Sequence, residues 1–245
     1  MEVRDKDLYE YILNLADDKT TINMIRANPK VFENERFYEK VMRKRYPLLI
    51  KFRKENETWK ALYLRMVYIL AKLEEDYKIP YIPTKDCSPE LLLDSGKQGG
   101  KIYDYALGCA AAGGHIHLID YFFERSNNKN SALAFALSLA GEYSNLNTVK
   151  YLISKGADSY HFLLSGAAAG GNVDVMKFAL DVLKSRGWDF NMQRPHSAIR
   201  NAIANEKIEA IDFLIQNGLR IRREDIDYAE DKRNHDIAEY IRKFL

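Results

Sequence analysis

Leu107-Gly108-Cys109-Ala110-Ala111-Ala112-Gly113-Gly114-His115-Ile116 and Leu164-Ser165-Gly166-Ala167-Ala168-Ala169-Gly170-Gly171-Asn172-Val173 are one pattern written twice. Aligning the chain on them exposes weaker copies. A first short helix presents Leu107, Leu137, Leu164, Ile199 and Ile226 at one position, and Ala110, Ala140, Ala167, Ala202 and Ala229 three residues later. A second helix presents Ile119, Val149, Met176, Ile211 and Ala238, followed two residues on by Tyr121, Tyr151, Phe178, Phe213 and Tyr240. The aromatic column steps by 30, 27, 35 and 27 residues. These steps scatter around a repeat unit of roughly 33 residues. Columns that agree in residue type through five copies define five helix-turn-helix units.

One helix pair of this length cannot bury its own apolar face, whereas stacked copies bury it against each other. Alanine at the crossing lets helix backbones approach. Glycine after the second helix, in Ser154-Lys155-Gly156-Ala157-Asp158 and Gln216-Asn217-Gly218, supplies a left-handed residue to end it. Val149-Lys150-Tyr151-Leu152-Ile153-Ser154-Lys155-Gly156-Ala157-Asp158 and Ala110 to His115 resemble ankyrin repeats, and the resemblance covers residues 101–245. In place of that family's Thr-Pro-Leu-His, the copies read Tyr-Ala-Leu-Gly, Phe-Ala-Leu-Ser, Phe-Leu-Leu-Ser and Ser-Ala-Ile-Arg. A tetratricopeptide array of similar period needs longer paired helices and a Trp, Leu-Gly and Tyr pattern that is not found here. The fold class expected is therefore all-α: an ankyrin-repeat solenoid of about five helix-turn-helix units behind a small N-terminal helical module. The charged run from Glu230 to Asp236 suits a terminal copy facing water.

Residues 1–80 leave this register. Leu8, Ile12 and Leu15 share one helical face, Asp17 and Asp18 interrupt, and Phe37, Val41 and Tyr46 mark a further helix closed by Pro47. The stretch from Leu8 to Pro47 resembles an F-box. An F-box-like segment beside ankyrin repeats is similar to proteins of large DNA viruses. The resemblance implies docking of a Skp-type adaptor through Leu8, Ile12, Leu15 and Phe37, and delivery of a target to a cullin-RING ubiquitin ligase. Trp59, Leu62, Tyr63, Met66, Leu70 and Leu73 form another apolar stripe, with Asn56 or Thr58 to cap its start. Residues 81–100 read as a connection holding one short helix, opened by Ser88-Pro89-Glu90.

Loop tips and the exposed sides of first helices carry no stacking duty, so a repeat array binds partners there. In this register those positions include Glu142, Tyr143, His161, Gln193, Arg194, His196, Asn205, Arg220 and Arg222. Trp188 and Phe190, in the longest inter-repeat loop, read as a plug over neighbouring helix ends rather than a binding anchor. The function expected is a non-catalytic protein-binding adaptor. The alternative is a structural or self-associating subunit of a virion or complex.

Across 245 residues, 37 Lys and Arg against 35 Asp and Glu give a formal charge of +2, and 47% hydrophobic residues suffice for a core. No global field singles out nucleic acid, and nucleic acid is not an expected partner. From Lys40 to Lys54 there are nonetheless seven basic residues and no acidic one. That run either meets a polyanion or is a solvated helix face balanced by Glu39, Glu55 and Glu57. The charged start Met1-Glu2-Val3-Arg4-Asp5-Lys6 is unlike a signal peptide, and no stretch is apolar enough for a membrane span. An intracellular protein is expected, in the host-cell cytoplasm for a viral one, with the nucleus as the alternative. Cys87 and Cys109 are expected to be reduced. His115 and His117 stand two apart on different sides of a helix without further ligands. The Gly pairs lack a phosphate-binding context, and no nucleophile motif occurs. No metal, cofactor, small-molecule substrate or catalytic residue is expected.

Overall fold

Asp17 starts a helix. Its Oδ1 accepts the Thr20 N–H at 2.7 Å, satisfying one of the donors that a helix start leaves open, and α1 (Asp18–Ala27) follows. The computed structural model describes residues 12, 14, 16–82, 87–97, 101–143, 146–188 and 195–245. Among these every regular element is helical. Leu8, Leu15, Phe190, Gln193, Arg194 and Gly100 lie outside the described residues. By contacts the chain divides into two compact units, Met1–Gln98 and Gly99–Leu245.

In the first unit, the Asn34 side chain caps α2 (Glu35–Arg45), accepting the Arg36 N–H at 2.9 Å. Pro47 then opens a 3-10 turn (Pro47–Phe52) because its ring cannot continue the α-helix. Thr58 caps α3 (Trp59–Tyr77) through the Ala61 N–H at 3.1 Å, and α4 (Pro89–Lys97) packs on α3. Phe32, Tyr38, Val41, Met42, Leu49, Leu62, Tyr63 and Met66 are fully buried between these elements. The Tyr38 hydroxyl donates to the Phe32 carbonyl at 2.8 Å, so its burial leaves no orphaned donor.

Two ionic hubs lock the core's edges. Asp18 accepts from Arg45 Nη1 at 2.9 Å, from the Tyr63 hydroxyl at 3.0 Å, and from the Tyr46 hydroxyl. Burial, joined by this carboxylate, pushes both phenols well above their ordinary value. Arg65 holds Glu57 with two bonds of 2.7 Å, donates to the Phe52 carbonyl at 2.8 Å, and pairs with Glu90 on α4. One side chain thus ties α3, the preceding turn and α4 together.

In the second unit the described residues form a stack of five helix pairs. They are α5 (Ile102–Ala112) with α6 (Ile116–Arg125), α7 (Lys129–Tyr143) with α8 (Leu146–Ser154), α9 (Tyr160–Gly170) with α10 (Val173–Ser185), α11 (His196–Ala204) with α12 (Ile208–Gln216), and α13 (Arg223–Asp231) with α14 (His235–Arg242). The first helices pack in order, α5 on α7, α7 on α9, α9 on α11 and α11 on α13. The sequence columns become structural columns. All five alanines, Ala110, Ala140, Ala167, Ala202 and Ala229, are 0% exposed. The five second-helix aromatics are all half-buried.

The backbone repeats as well. The carbonyls of Ala110, Ala167, Ala202 and Ala229 each accept the N–H five residues on, from His115, Asn172, Lys207 and Asn234, at 2.8–2.9 Å. Just before each of those donors sits a left-handed residue: Gly114, Gly171, Glu206 and Arg233, with φ of 71°, 75°, 56° and 62°. Glycine adopts that conformation without strain, and the last two copies hold it without glycine. Between second helices, the Tyr151 hydroxyl donates to Asp120 and that of Tyr240 to Asp212, each at 2.6 Å. The Asp120 carboxyl is held below its ordinary value, chiefly by Lys155. Among the described residues no helix is long and apolar enough to cross a membrane. Cys87 and Cys109 are both buried.

Candidate partner-binding face

Large apolar residues belong inside this stack, yet three aromatics at one repeat position do not go there. Tyr105, Phe135 and Phe162 each stand two residues before the buried Leu107, Leu137 and Leu164, on α5, α7 and α9. Phe135 is 39% exposed, Phe162 is 57% exposed and Tyr105 is half-buried. Helical geometry accounts for this: a residue two before a core position lies about 200° away around the helix, on its far side. The Tyr105 and Phe135 rings stack with centroids 6.0 Å apart and planes at 23°. Gly108 makes the seat for Phe135, since a Cβ there would meet the ring at 2.5 Å. In the last two copies the position carries exposed Ser197 and Glu224, so the row is aromatic at one end and polar at the other.

The loop and helix-end residues expected from sequence fall into two groups. His161, His196, Arg220 and Arg222 are exposed at or just before the N-terminal ends of α9, α11 and α13. The backbone N–H of Arg222 donates to Asp225 Oδ2 at 2.9 Å, which orders the chain entering α13. Glu142, Tyr143 and Asn205 sit at the opposite, C-terminal ends of first helices. Glu142 is half-buried, Tyr143 is 42% exposed, and the exposed Asn205 donates to the Asn201 carbonyl at 2.9 Å. Tyr143 lines an open hollow of about 830 Å³ with Gly113, Gly114, Leu146, Asn172 and Asp174. The structure therefore gives two rims, with the aromatic row on the helices between them. Gln193 and Arg194 lie outside the described residues.

Trp188 is 7% exposed with its ring 5.7 Å from that of His161, a plug against the start of α9. In the first unit, Ile12 is 0% and Phe37 3% exposed, both within the hydrophobic core. Their side chains hold that unit together and present nothing to an adaptor. Leu8 and Leu15, expected beside them, lie outside the described residues.

Among the described residues no three His, Cys, Asp or Glu side chains gather as a metal site. The rings of His115 and His117 lie 6.1 Å apart at 68°. Gly113 is packed against the His115 ring, which a Cβ would meet at 2.5 Å. Fold and face together define an all-α chain with a stacked array of helix pairs that displays an aromatic row. No family model matches the chain, and no curated protein and no solved structure matches it.

Proposed function

We propose that the chain is a non-catalytic protein-binding adaptor whose second unit is an ankyrin-type repeat solenoid and holds its target across the first-helix row. The observation that carries this reading is the partly exposed row of Tyr105, Phe135 and Phe162, flanked by two polar rims. Partially exposed aromatics on a rigid scaffold bury much area at little entropic cost when a partner covers them, and interfaces concentrate their affinity in such residues. The regular stack supplies the rigidity, and the polar rims supply orientation. The implied ubiquitin-ligase role finds no support in Ile12 or Phe37, which are enclosed, and would have to use other surface of the first unit.

The test is affinity capture from eukaryotic lysate with the whole chain and with Phe135→Asp/Phe162→Asp, read by quantitative mass spectrometry. Both changes lie on exposed side chains, so the variant keeps its helical circular dichroism. The reading expects the wild type to enrich a defined protein by tenfold or more over the variant, on the order of the ~1.4 kcal/mol per decade of affinity that one aromatic anchor supplies. Equal recovery of every captured protein by both forms would refute it.

A further inference from the structure

We propose that the exposed face of α2, together with Arg53 and Trp59, is a binding site for the phosphate backbone of nucleic acid. This goes beyond the protein-binding reading, because it uses only residues of the first unit. Arg36, Lys40, Arg43 and Lys44 follow the spacing i, i+4, i+7, i+8, which places them on one side of the helix. All four are exposed, while Phe37, Tyr38, Val41 and Met42 turn the opposite side into the core.

Of the acids near this face, Glu57 and Glu35 are committed to other partners, Glu39 pairs with one of its cations, and Glu55 is exposed, which leaves the basic residues in excess. Glu57 is gripped by Arg65 through two 2.7 Å bonds, and Glu35 accepts the Trp59 backbone N–H at 2.6 Å. Glu39 pairs with Arg43, and that bond fixes the arginine. The Arg43 guanidinium lies over the Trp59 ring at 5.4 Å, and Nε and Nη2 approach Glu39 at 2.9 and 2.8 Å. The Arg53 guanidinium lies over the same ring at 4.5 Å, with Nε donating to the Glu57 carbonyl at 2.7 Å. Two planar cations are thus held by one edge each, and their remaining N–H groups are preorganised for phosphate oxygens.

Arg36, Lys40 and Lys44 recur every four residues, a rise of about 6 Å, so the cations form a regular rail along the helix. A rail of fixed charges suits a partner whose own charges are regular and dense, as on a nucleic-acid strand. The half-exposed Trp59 and its stacked guanidiniums add flat surfaces of the kind that unpaired bases stack on. The overall charge of +2 gives no hint of this, because it averages over acids that lie on other surfaces.

Fluorescence anisotropy of the full chain with a labelled single strand of mixed sequence, the matching duplex, and labelled polyglutamate tests the proposal. The expected result is binding of nucleic acid at low salt, with the single-strand and duplex arms showing which form is preferred. For a footprint of about five phosphates, single-strand affinity should fall about a hundredfold between roughly 50 and 200 mM salt. Arg36→Glu/Lys40→Glu should weaken binding by tenfold or more and lower the salt slope by about 0.7 per lost contact. Arg36→Gln/Lys40→Gln should act in the same direction without adding charge. Lys150→Glu/Lys177→Glu, an equal charge change on exposed second-unit positions, should leave binding intact. Equal weakening by that control, tight binding of polyglutamate alone, or no nucleic-acid binding at low salt would each overturn the assignment.

Discussion

A Cβ placed on Gly166 would meet the Ser138 carbonyl oxygen at 1.9 Å, and one on Gly108 would meet the Phe135 ring at 2.5 Å. The distances are similar but the consequences differ. Ser138 belongs to the α7 backbone, so Gly166→Ala must push two stacked helices apart, at a cost of about 3 kcal/mol or more. Phe135 is a half-exposed side chain that swings aside, so Gly108→Ala should cost less than about 1 kcal/mol while dismantling the Tyr105–Phe135 stack. Denaturant unfolding of both variants checks the contrast; a Gly166→Ala protein as stable as wild type would contradict the close approach of α7 and α9. At this scale the sequence was readable only in part. Aromatics open the three stretches Tyr-Ala-Leu-Gly, Phe-Ala-Leu-Ser and Phe-Leu-Leu-Ser, but their exposure depends on what the neighbouring helices cover, which residue types alone do not state.

Among elements, the junction of α3 and α4 depends on Arg65. Its partner Glu57 has a side chain only 10% exposed, and the Arg65 hydrogen bond holds the carboxyl below its ordinary value. A depressed carboxyl pKa contributes stability that is complete above the unfolded value of about 4.3 and is lost as pH falls through the lower folded value. Stability should therefore decline between about pH 5 and pH 3, and Glu57→Gln should flatten part of that decline. Arg65→Ala should cost about 3 kcal/mol at neutral pH, because it leaves an enclosed carboxylate without its cation. Urea midpoints measured across pH for the three proteins test this, and an unchanged acid profile in Glu57→Gln would remove Glu57 from the account. One helix start was legible here: Thr58, expected with Asn56 as the alternative before an apolar stripe, caps α3, whereas Asp17 and Asn34 cap their helices without having been singled out as caps. The Asp18 and Arg65 hubs were not legible, since each joins residues far apart in sequence whose pairing follows only from packing.

For the molecule as a whole, the periodic columns carried most of the information. Alanine and leucine positions read as stacking contacts are buried in all five copies, and the same turn geometry recurs even where Glu206 and Arg233 replace glycine. What the columns leave out is the function: the aromatic position keeps the repeat register in only three copies, giving way to Ser197 and Glu224, and the residues of the polar rims carry no stacking duty. The central claim, that a target is held across the first-helix row, is tested most directly by photocrosslinking in lysate. A photoreactive benzoylphenylalanine would replace Phe162 in one protein and, as a control on the second helices, the exposed Lys150 in another. The account predicts a discrete heterologous protein crosslinked from position 162 and absent from position 150. Equal crosslinking from both positions, or crosslinks from 162 only to a second copy of the chain, would contradict it.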